Sequence, residues 1–375
     1  MLSRIACSAA CVGLALPVLA QGKKTGTDTI HTSGQVIRRA NVLSETLKEV
    51  TYKARKKDQS IPSSQVVSIE WGNAGESWQR ALFAVERGDF AQAANLFQET
   101  ATSSERASLK AHASFRAAEA LFLAAASDPA KADLAANALD TWLAANADHR
   151  LSTQAQDVAG KAWLLAKNPD KALAGFKKLE ADATAKSLGA RATARAKFGQ
   201  GQAMVAQKKF AEARTSYLAA AATLQAAGAA DDPSLRALEI AAKVGVGECH
   251  IAQKNLQEAQ RFFSGLKRQG VNDPGLAAAA AAGLAQARFE AAVAKKDVRA
   301  VLEAQSAFAE VSATDVMDGD ATAKSLYYLG RCLLELGKDR EGQDFGTRAD
   351  AFFKHVIARY SGSRWALRAR LALKK

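Results

Sequence analysis

Residues Gly199 to Ala222 read GQGQAMVAQKKFAEARTSYLAAAA, and this stretch decides the fold class. It predicts two short helices joined by a tight bend at residues 207–209. Small residues occur on the first helix, and Ala213 and Tyr217 lie four residues apart on one face of the second. The same arrangement recurs along the chain, so we expect a stack of helical hairpins from residue 73 onward.

About seven such hairpins can be marked between residues 73 and 375. The small residue of each first helix is expected where the second helix crosses closely, because a larger side chain would push the helices apart. An alanine faces it, and an aromatic residue four positions later packs under the next hairpin. The clearest pairs of small residue and aromatic are Gly201 with Tyr217, Gly247 with Phe263, and Gly330 with Phe353.

These marks resemble the tetratricopeptide repeat family, whose pattern is a small residue, an aromatic, an alanine and an aromatic. The family's Trp and terminal Pro are mostly absent, and the intervals between marked alanines exceed its period of about 34 residues. Residues 351–375, AFFKHVIARYSGSRWALRARLALKK, resemble the closing repeat of periplasmic cell-envelope members, with Tyr360 and Ser363 matching. The resemblance implies a right-handed α-solenoid whose last helix is a cap with a basic outer face.

Residues 28–72 follow another pattern. Val50 and Tyr52 lie two residues apart, and Val67, Ile69 and Trp71 repeat that interval, which predicts about five short strands with one buried face. The segment resembles small SH3-like or Sm-like β-barrels, and this implies a module for interaction or for capping a neighbouring domain. The matching residues are Asp28, Ile30, Gly34, Ile61, Pro62, Val66 and Ile69.

The first 20 residues predict a secretory signal peptide. Arg4 supplies positive charge, an apolar run extends to Leu19, and Val18-Leu19-Ala20 is a small-residue cleavage site. The apolar run is shorter than the ~20 residues that span a bilayer, so we do not expect an integral membrane protein. Cleavage at about Ala20 would leave a linker at 21–27 and place the protein in the periplasm or cell envelope.

After cleavage the chain would keep Cys249 and Cys332, at the same position of first helices two hairpins apart. Neighbouring helices pack at about 8–10 Å, whereas bridged Cα atoms lie within roughly 7 Å. We therefore expect two free, buried thiols.

The formal charge of the chain is +13. Since an exported protein rarely meets nucleic acid, we expect an anionic lipid, an envelope polymer or an acidic protein as the counterpart of this charge. Solvated helix faces rich in Lys and Arg would give the same total.

The sequence contains no motif for catalysis, a cofactor or a metal. None of the five histidines occurs in HExxH or at metal-ligand spacing. The doublets at 199–201 and 245–247 are Gly-x-Gly, but neither follows a strand or completes GxGxxG, and close helix packing explains both. We therefore expect no cofactor and no enzyme activity.

The remaining candidate site is the groove that the first helices would line. We expect a non-enzymatic exported scaffold that binds a protein or peptide of the cell envelope there. The alternative is a binder of anionic envelope polymer or lipid that uses the basic surface. An error of one residue in the repeat register would place several groove residues in the core or in solvent. The groove candidates are Trp78, Leu82, Arg195, Phe198, Gln202, Glu248, Lys324, Tyr327 and Arg331.

Overall fold

The computed structural model describes residues 28–55, 57–338 and 344–373. A small β-sheet is followed by helices, and the contacts divide the chain into two compact units. The N-terminal unit contains the described residues up to 182, and the C-terminal unit contains those from 183 onward. The predicted signal peptide and linker lie outside the described residues.

The strands form one antiparallel sheet of order β4-β3-β2-β1-β5. Their bounds are β1 (Asp28–Thr32), β2 (Val36–Glu45), β3 (Glu49–Ala54), β4 (Lys57–Pro62) and β5 (Val66–Glu70), with a 3-10 turn at Ser63–Gln65. The predicted β-segment is therefore present. That residues 28–72 are a separate domain stays a prediction.

The predicted closure into a barrel is not found among the described strands, because β4 and β5 are the two edges and do not pair. The sheet instead buries one face against helices of the same unit. Its Val50 and Tyr52 belong to one core with Trp78 and Phe97. A segment this short has too few apolar residues to fill a closed interior of its own.

The predicted alternation is wrong at Val67, whose exposed fraction is 68% while Ile69 and Trp71 are buried. The pairing of β1 with β5 shifts register between His31 and Thr32. Such a bulge moves the residues beyond it to the opposite face of the sheet. Val66, rather than Val67, therefore joins the core.

The helices form seven consecutive pairs and a final single helix within the described residues. This confirms the predicted helical-hairpin repeats, while the handedness of the stack stays a prediction. The bounds are α1 (Gly75–Glu86), α2 (Phe90–Ser103), α3 (Ala107–Ala125), α4 (Lys131–Ala145), α5 (Ser152–Leu165), α6 (Pro169–Ala185), α7 (Gly189–Ala206), α8 (Phe210–Ala226), α9 (Pro233–Ala252), α10 (Leu256–Gln269), α11 (Pro274–Lys295), α12 (Val298–Thr314), α13 (Asp320–Leu336), α14 (Phe345–Arg359) and α15 (Arg364–Leu373).

Glycines on the first helices of the C-terminal unit leave gaps that aromatic rings of the second helices fill. A Cβ added at Gly247 on α9 would lie 2.3 Å from the Phe263 ring, and one at Gly283 on α11 would lie 2.2 Å from the same ring. Carbon atoms do not approach this closely without displacement. The Phe263 ring of α10 therefore occupies a slot that two successive first helices share.

The Tyr217 ring of α8 fills the preceding slot in the same way. A Cβ at Gly201 on α7 would lie 2.6 Å from it, and one at Gly245 on α9 would lie 2.9 Å away. The two glycines of Gly245-Val246-Gly247 therefore belong to different slots, since Gly245 faces Tyr217 and Gly247 faces Phe263. This confirms that helix packing accounts for these glycines.

Two buried carboxylates tie the sheet to the helices of the N-terminal unit. The Asp28 carboxylate accepts hydrogen bonds from the backbone N–H of Val42 (2.8 Å) and Gly72 (2.9 Å), and it pairs with the Arg106 guanidinium. Arg106 lies at the start of α3, so this cluster joins β1 and β2 to a helix. An unpaired carboxylate could not remain charged in such a position.

The second buried carboxylate is that of Glu45, at the end of β2. It accepts hydrogen bonds from Arg150 Nη2 (2.7 Å) and Nε (3.0 Å), and its Oε1 lies 3.3 Å from His112 Nδ1 and 3.6 Å from His149 Nε2. Burial alone would raise the pKa of Glu45, but His112, His149 and Arg150 together hold it well below its usual range. Burial lowers the pKa of His112, and the opposing attraction of Glu45 does not restore it.

We predict that His112→Gln flattens the dependence of stability on pH. Below about pH 6.5 the unfolded chain binds a proton at His112 that the folded chain does not, so the wild-type free energy of unfolding falls with decreasing pH. The variant should lose up to about 1.4 kcal/mol per pH unit of this slope. Urea unfolding between pH 7.5 and 5 measures it, and identical slopes in both proteins would show that His112 is not the responsible group.

We also predict that Gly283→Ala destabilises the protein by about 1–3 kcal/mol, because the new methyl group collides with the Phe263 ring. Gly265→Ala is the matched control, since Gly265 lies inside α10 and an added Cβ meets nothing within 4 Å. That control should be neutral or stabilising by about 0.5–1 kcal/mol. Chemical denaturation measures the free energy of unfolding of both variants. Equal changes in the two variants would show that the Phe263 ring does not fill a slot at Gly283.

Candidate functional site

The two groove candidates in the N-terminal unit belong to its core. Trp78 on α1 is 5% exposed and packs edge-on against Phe97 and His112, with ring centroids 5.1 Å and 6.1 Å away. Leu82, one turn later, is half-buried against the same core. Trp78 therefore does not line an open groove, which corrects the prediction for this residue.

The other seven candidates lie on α7, α9 and α13 of the C-terminal unit. In this unit α7, α9, α11, α13 and α15 each contact the next of these helices. We call the surface that these five helices present the first-helix face. Its candidate residues are Arg195, Phe198, Gln202, Glu248, Lys324, Tyr327 and Arg331. Lys324 and Tyr327 are buried and do not line an open groove, which corrects the prediction for these two residues.

Two of the candidates, Glu248 and Lys324, bind each other directly. Lys324 Nζ on α13 lies 3.1 Å from Glu248 Oε1 on α9. Arg364, the first residue of α15, donates from Nη1 to Glu248 Oε2 (2.6 Å) and from Nη2 to Glu248 Oε1 (2.8 Å). One carboxylate thus holds cations from two other first helices.

Lys324 is the most enclosed charge of this cluster, with 1% of the residue exposed. Its Nζ lies 5.9 Å from the centroid of the Phe263 ring and 5.4 Å from that of Trp365. Aromatic faces attract cations at such distances, more strongly when water is excluded. The ring that fills the slot between α9 and α11 is therefore also part of the binding environment of Lys324.

Residues on α13 and α15 that were not predicted as site residues complete this cluster. Asp320 Oδ1 accepts a hydrogen bond from Trp365 Nε1 (2.9 Å), and Asp320 Oδ2 lies 3.3 Å from Arg364 Nη2. The Arg364 and Arg368 guanidinium carbons each lie 4.7 Å from the centroid of the Trp365 ring. The prediction of a basic outer face on the last helix is thus wrong at Arg364, which binds Glu248.

Burial and pairing have opposite effects on the pKa values of the charged groups in this cluster. Burial would raise the pKa of Glu248, but Arg364 and Lys324 hold it well below its usual range. Burial lowers the pKa of Lys324, and the attraction of Glu248 opposes that shift. Because two cations already bind Glu248, this carboxylate cannot neutralise any further charge on the first-helix face.

Three other arginines on the first-helix face have no salt-bridge partner among the described residues. Arg195 is half-buried on α7, Arg368 lies on α15, and Arg331 on α13 donates from Nη1 to the Tyr327 hydroxyl (3.3 Å). Nearby, the Phe198 ring lies 5.4 Å from that of Tyr217. The face therefore carries positive charge without salt-bridge partners, beside a phenylalanine that is partly buried against the Tyr217 ring.

Gln202, next to Gly201 on α7, has a buried side-chain oxygen. Its Oε1 has no hydrogen-bond partner in the described part of the chain. A buried acceptor without a donor costs free energy. Because this oxygen is enclosed, a bound molecule could not reach it without displacing neighbouring side chains, so it does not line an open groove.

Neither a metal site nor a reactive thiol is found in the described ranges. No three His, Cys, Asp or Glu side chains there group in a way that could hold a metal ion. Cys249 and Cys332 are buried and unbridged, as predicted, and burial raises the pKa of both thiols to about 12. Both thiols therefore stay protonated near neutral pH, and the thiol form is a poor nucleophile.

None of the described helices is long and apolar enough to cross a membrane.

We predict that Glu248→Gln destabilises the protein more than Lys324→Met does. Loss of the Glu248 charge leaves the enclosed ammonium of Lys324 unpaired, which costs about 3–5 kcal/mol. Loss of Lys324 leaves Glu248 bound to Arg364, so the cost should be smaller. The double variant Glu248→Gln/Lys324→Met should recover part of the loss seen in Glu248→Gln, because no buried charge is then left alone.

Urea denaturation of the two single variants and the double variant, analysed as a double-mutant cycle, measures this coupling. Additive effects would show that Glu248 and Lys324 do not interact in solution.

No protein-family model matches this chain, and no curated protein matches it. Among solved structures, it is similar to a tetratricopeptide repeat protein from Parabacteroides merdae, with 14% identity over 76% of this chain and 94% of that chain and a TM-score of 0.46. It is also similar to the apo form of RapI, with 11% identity over 76% and 97% and a TM-score of 0.48. A Rap protein complexed with Competence and Sporulation Factor has 15% identity over 76% and 75% and a TM-score of 0.45.

Proposed function

We propose that this protein is a scaffold that binds an extended, acidic segment of a partner protein on the first-helix face of the C-terminal unit. The proposal rests on the surplus of positive charge on that face. Its carboxylate Glu248 is bound by Lys324 and Arg364, while Arg195, Arg331 and Arg368 have no salt-bridge partner in the described residues. Acidic side chains of a partner would complement this surplus.

An aromatic side chain on the same face adds apolar contact. Phe198 packs against the cluster around Tyr217 and is only partly buried, so part of its ring is open to a partner. The helices that carry these groups are held by packing before any partner arrives. A preformed surface of this kind costs little conformational entropy on binding.

The proposed role includes export to the periplasm or cell envelope and no enzyme activity. The proposal of export rests on the sequence of the residues before Gln21, and its test is mass spectrometry of the N-terminus of the protein recovered from the envelope fraction. A protein that retains Met1 in the cytoplasm would contradict export. The partner would then be a cytoplasmic protein, and the charge argument for the first-helix face would be unchanged.

We predict that Arg195→Glu/Arg331→Glu weakens binding of a fluorescent probe peptide of repeating Glu-Glu-Phe by at least ~10-fold. The double variant reverses two of the charges that should attract the peptide. Fluorescence anisotropy measures the dissociation constant. A peptide of repeating Lys-Lys-Phe should not bind the wild-type protein, and it should not bind the control variant described next.

The matched control is Lys267→Glu/Arg268→Glu, which makes the same change in net charge at exposed positions of the second helix α10. This control should retain most of the wild-type affinity. Equal weakening in both variants would mean that only the net charge matters, and the first-helix face would then not be the binding site.

A further inference from the structure

The sheet of the N-terminal unit carries a group of exposed basic residues that the first-helix face does not involve. Arg38 and Arg39 lie on β2, Lys53 on β3, Arg55 in the turn after β3, and Lys57 at the start of β4. All five are exposed. We call these five residues the basic patch.

Strand pairing brings the members of the patch together. Lys53 pairs with Asn41, two residues after Arg39, and Ala54 pairs with Lys57 across the β3–β4 turn. Paired strands lie about 4.8 Å apart. The basic residues therefore lie at one end of the three strands β2, β3 and β4, where Lys53 and Lys57 occupy opposite faces of the β3–β4 hairpin.

The patch is largely unneutralised. None of its five residues has a salt-bridge partner within the described residues, and Asp58, which pairs across the strands with Lys53, is the acidic residue beside them. Five neighbouring cations repel one another in solution. Their side chains are long enough to spread, so the arrangement is tolerated, but it would be stabilised by an anionic surface.

Apolar side chains are exposed on the same strand. Val36 is 47% exposed and Leu43 is 44% exposed, and both lie on β2 with Arg38 and Arg39. A soluble polyanion offers no favourable contact to such side chains, whereas the interface of a bilayer accepts apolar groups beside Lys and Arg. This combination favours a membrane surface over a soluble polymer.

We infer that the basic patch docks the N-terminal unit on the surface of a bilayer that contains anionic phospholipid. The cations would lie at the level of the lipid phosphates, with Leu43 and Val36 at the edge of the apolar region. Attraction of this kind weakens as salt is added, since the Debye length falls from about 30 Å at 0.01 M to about 3 Å at 1 M ionic strength. This inference is independent of the proposed role of the first-helix face.

The test is co-sedimentation of the full chain with vesicles of neutral phosphatidylcholine and with vesicles that contain about 30% phosphatidylglycerol. We expect the wild-type protein to bind the anionic vesicles at least ~10-fold more strongly at about 0.05 M NaCl, and to lose most of this preference at about 0.5 M. The apolar stretch before residue 21 is common to all variants, so comparisons between variants isolate the patch.

The patch variant is Arg39→Asn/Lys53→Thr/Arg55→Asn/Lys57→Thr. Asn is chosen for Arg39 and Arg55 because both have positive φ, 57° and 48°, which Asn tolerates. The preference for anionic vesicles should fall at least ~10-fold in this variant. In a milder variant, Arg39→Asn/Arg55→Asn, the preference for anionic vesicles should fall about threefold. This variant keeps Lys53 and Lys57 and serves as the test if the larger change impairs folding.

The matched control is Lys177→Gln/Lys178→Gln/Lys267→Gln/Arg268→Gln, which removes four exposed charges from helices. It should bind anionic vesicles almost as strongly as the wild-type protein. The inference is overturned if this control loses as much binding as the patch variant, or if neutral and anionic vesicles bind equally. Binding to soluble polyphosphate without binding to anionic vesicles would also overturn it.

Discussion

The contact on which the C-terminal unit depends is an aromatic ring seated in a slot between two successive first helices. Phe263 is enclosed by Gly247 and Gly283, and Tyr217 by Gly201 and Gly245. A single methyl group on any of these glycines would need the space that the ring occupies. The backbones of neighbouring first helices can therefore approach closely only because these positions have no side chain.

That close approach also determines the charge arrangement of the first-helix face. Lys324 on α13 reaches Glu248 on α9, and its ammonium lies near the same Phe263 ring that fills the slot. The packing contact and the candidate site are thus physically connected. The positive charge of the site follows from this geometry. Glu248 is already paired with Lys324 and Arg364, whereas Arg195, Arg331 and Arg368 have no salt-bridge partner among the described residues.

Both units use buried carboxylates to join elements that are distant in sequence. In the N-terminal unit Glu45 binds Arg150, and Asp28 pairs with Arg106. In the C-terminal unit Glu248 joins three helices. A buried carboxylate is costly unless several donors surround it, so each cluster favours one arrangement of its elements over all others. The basic patch is different, since its charges have no such partners and face solvent.

The repeating helical hairpins follow from the sequence alone, because their marks are local. A small residue marks the first helix of each hairpin, and an alanine and an aromatic four residues apart share one face of the second helix, whatever surrounds that helix. The burial and free state of Cys249 and Cys332 follow from the same register. The presence of strands before residue 72 is also a local property, visible in the interval of two between Val50 and Tyr52.

Other features depend on contacts between distant residues, and only the tertiary structure decided them. Arg364 and Glu248 are 116 residues apart, and no local pattern relates them. The open sheet and the exposed Val67 depend on which strands pair and on one bulge in their register. Trp78 became a core residue because the sheet shares a core with the first helices of its unit. Periodicity determines which face a residue occupies, whereas the partner of that face is determined by how the elements pack.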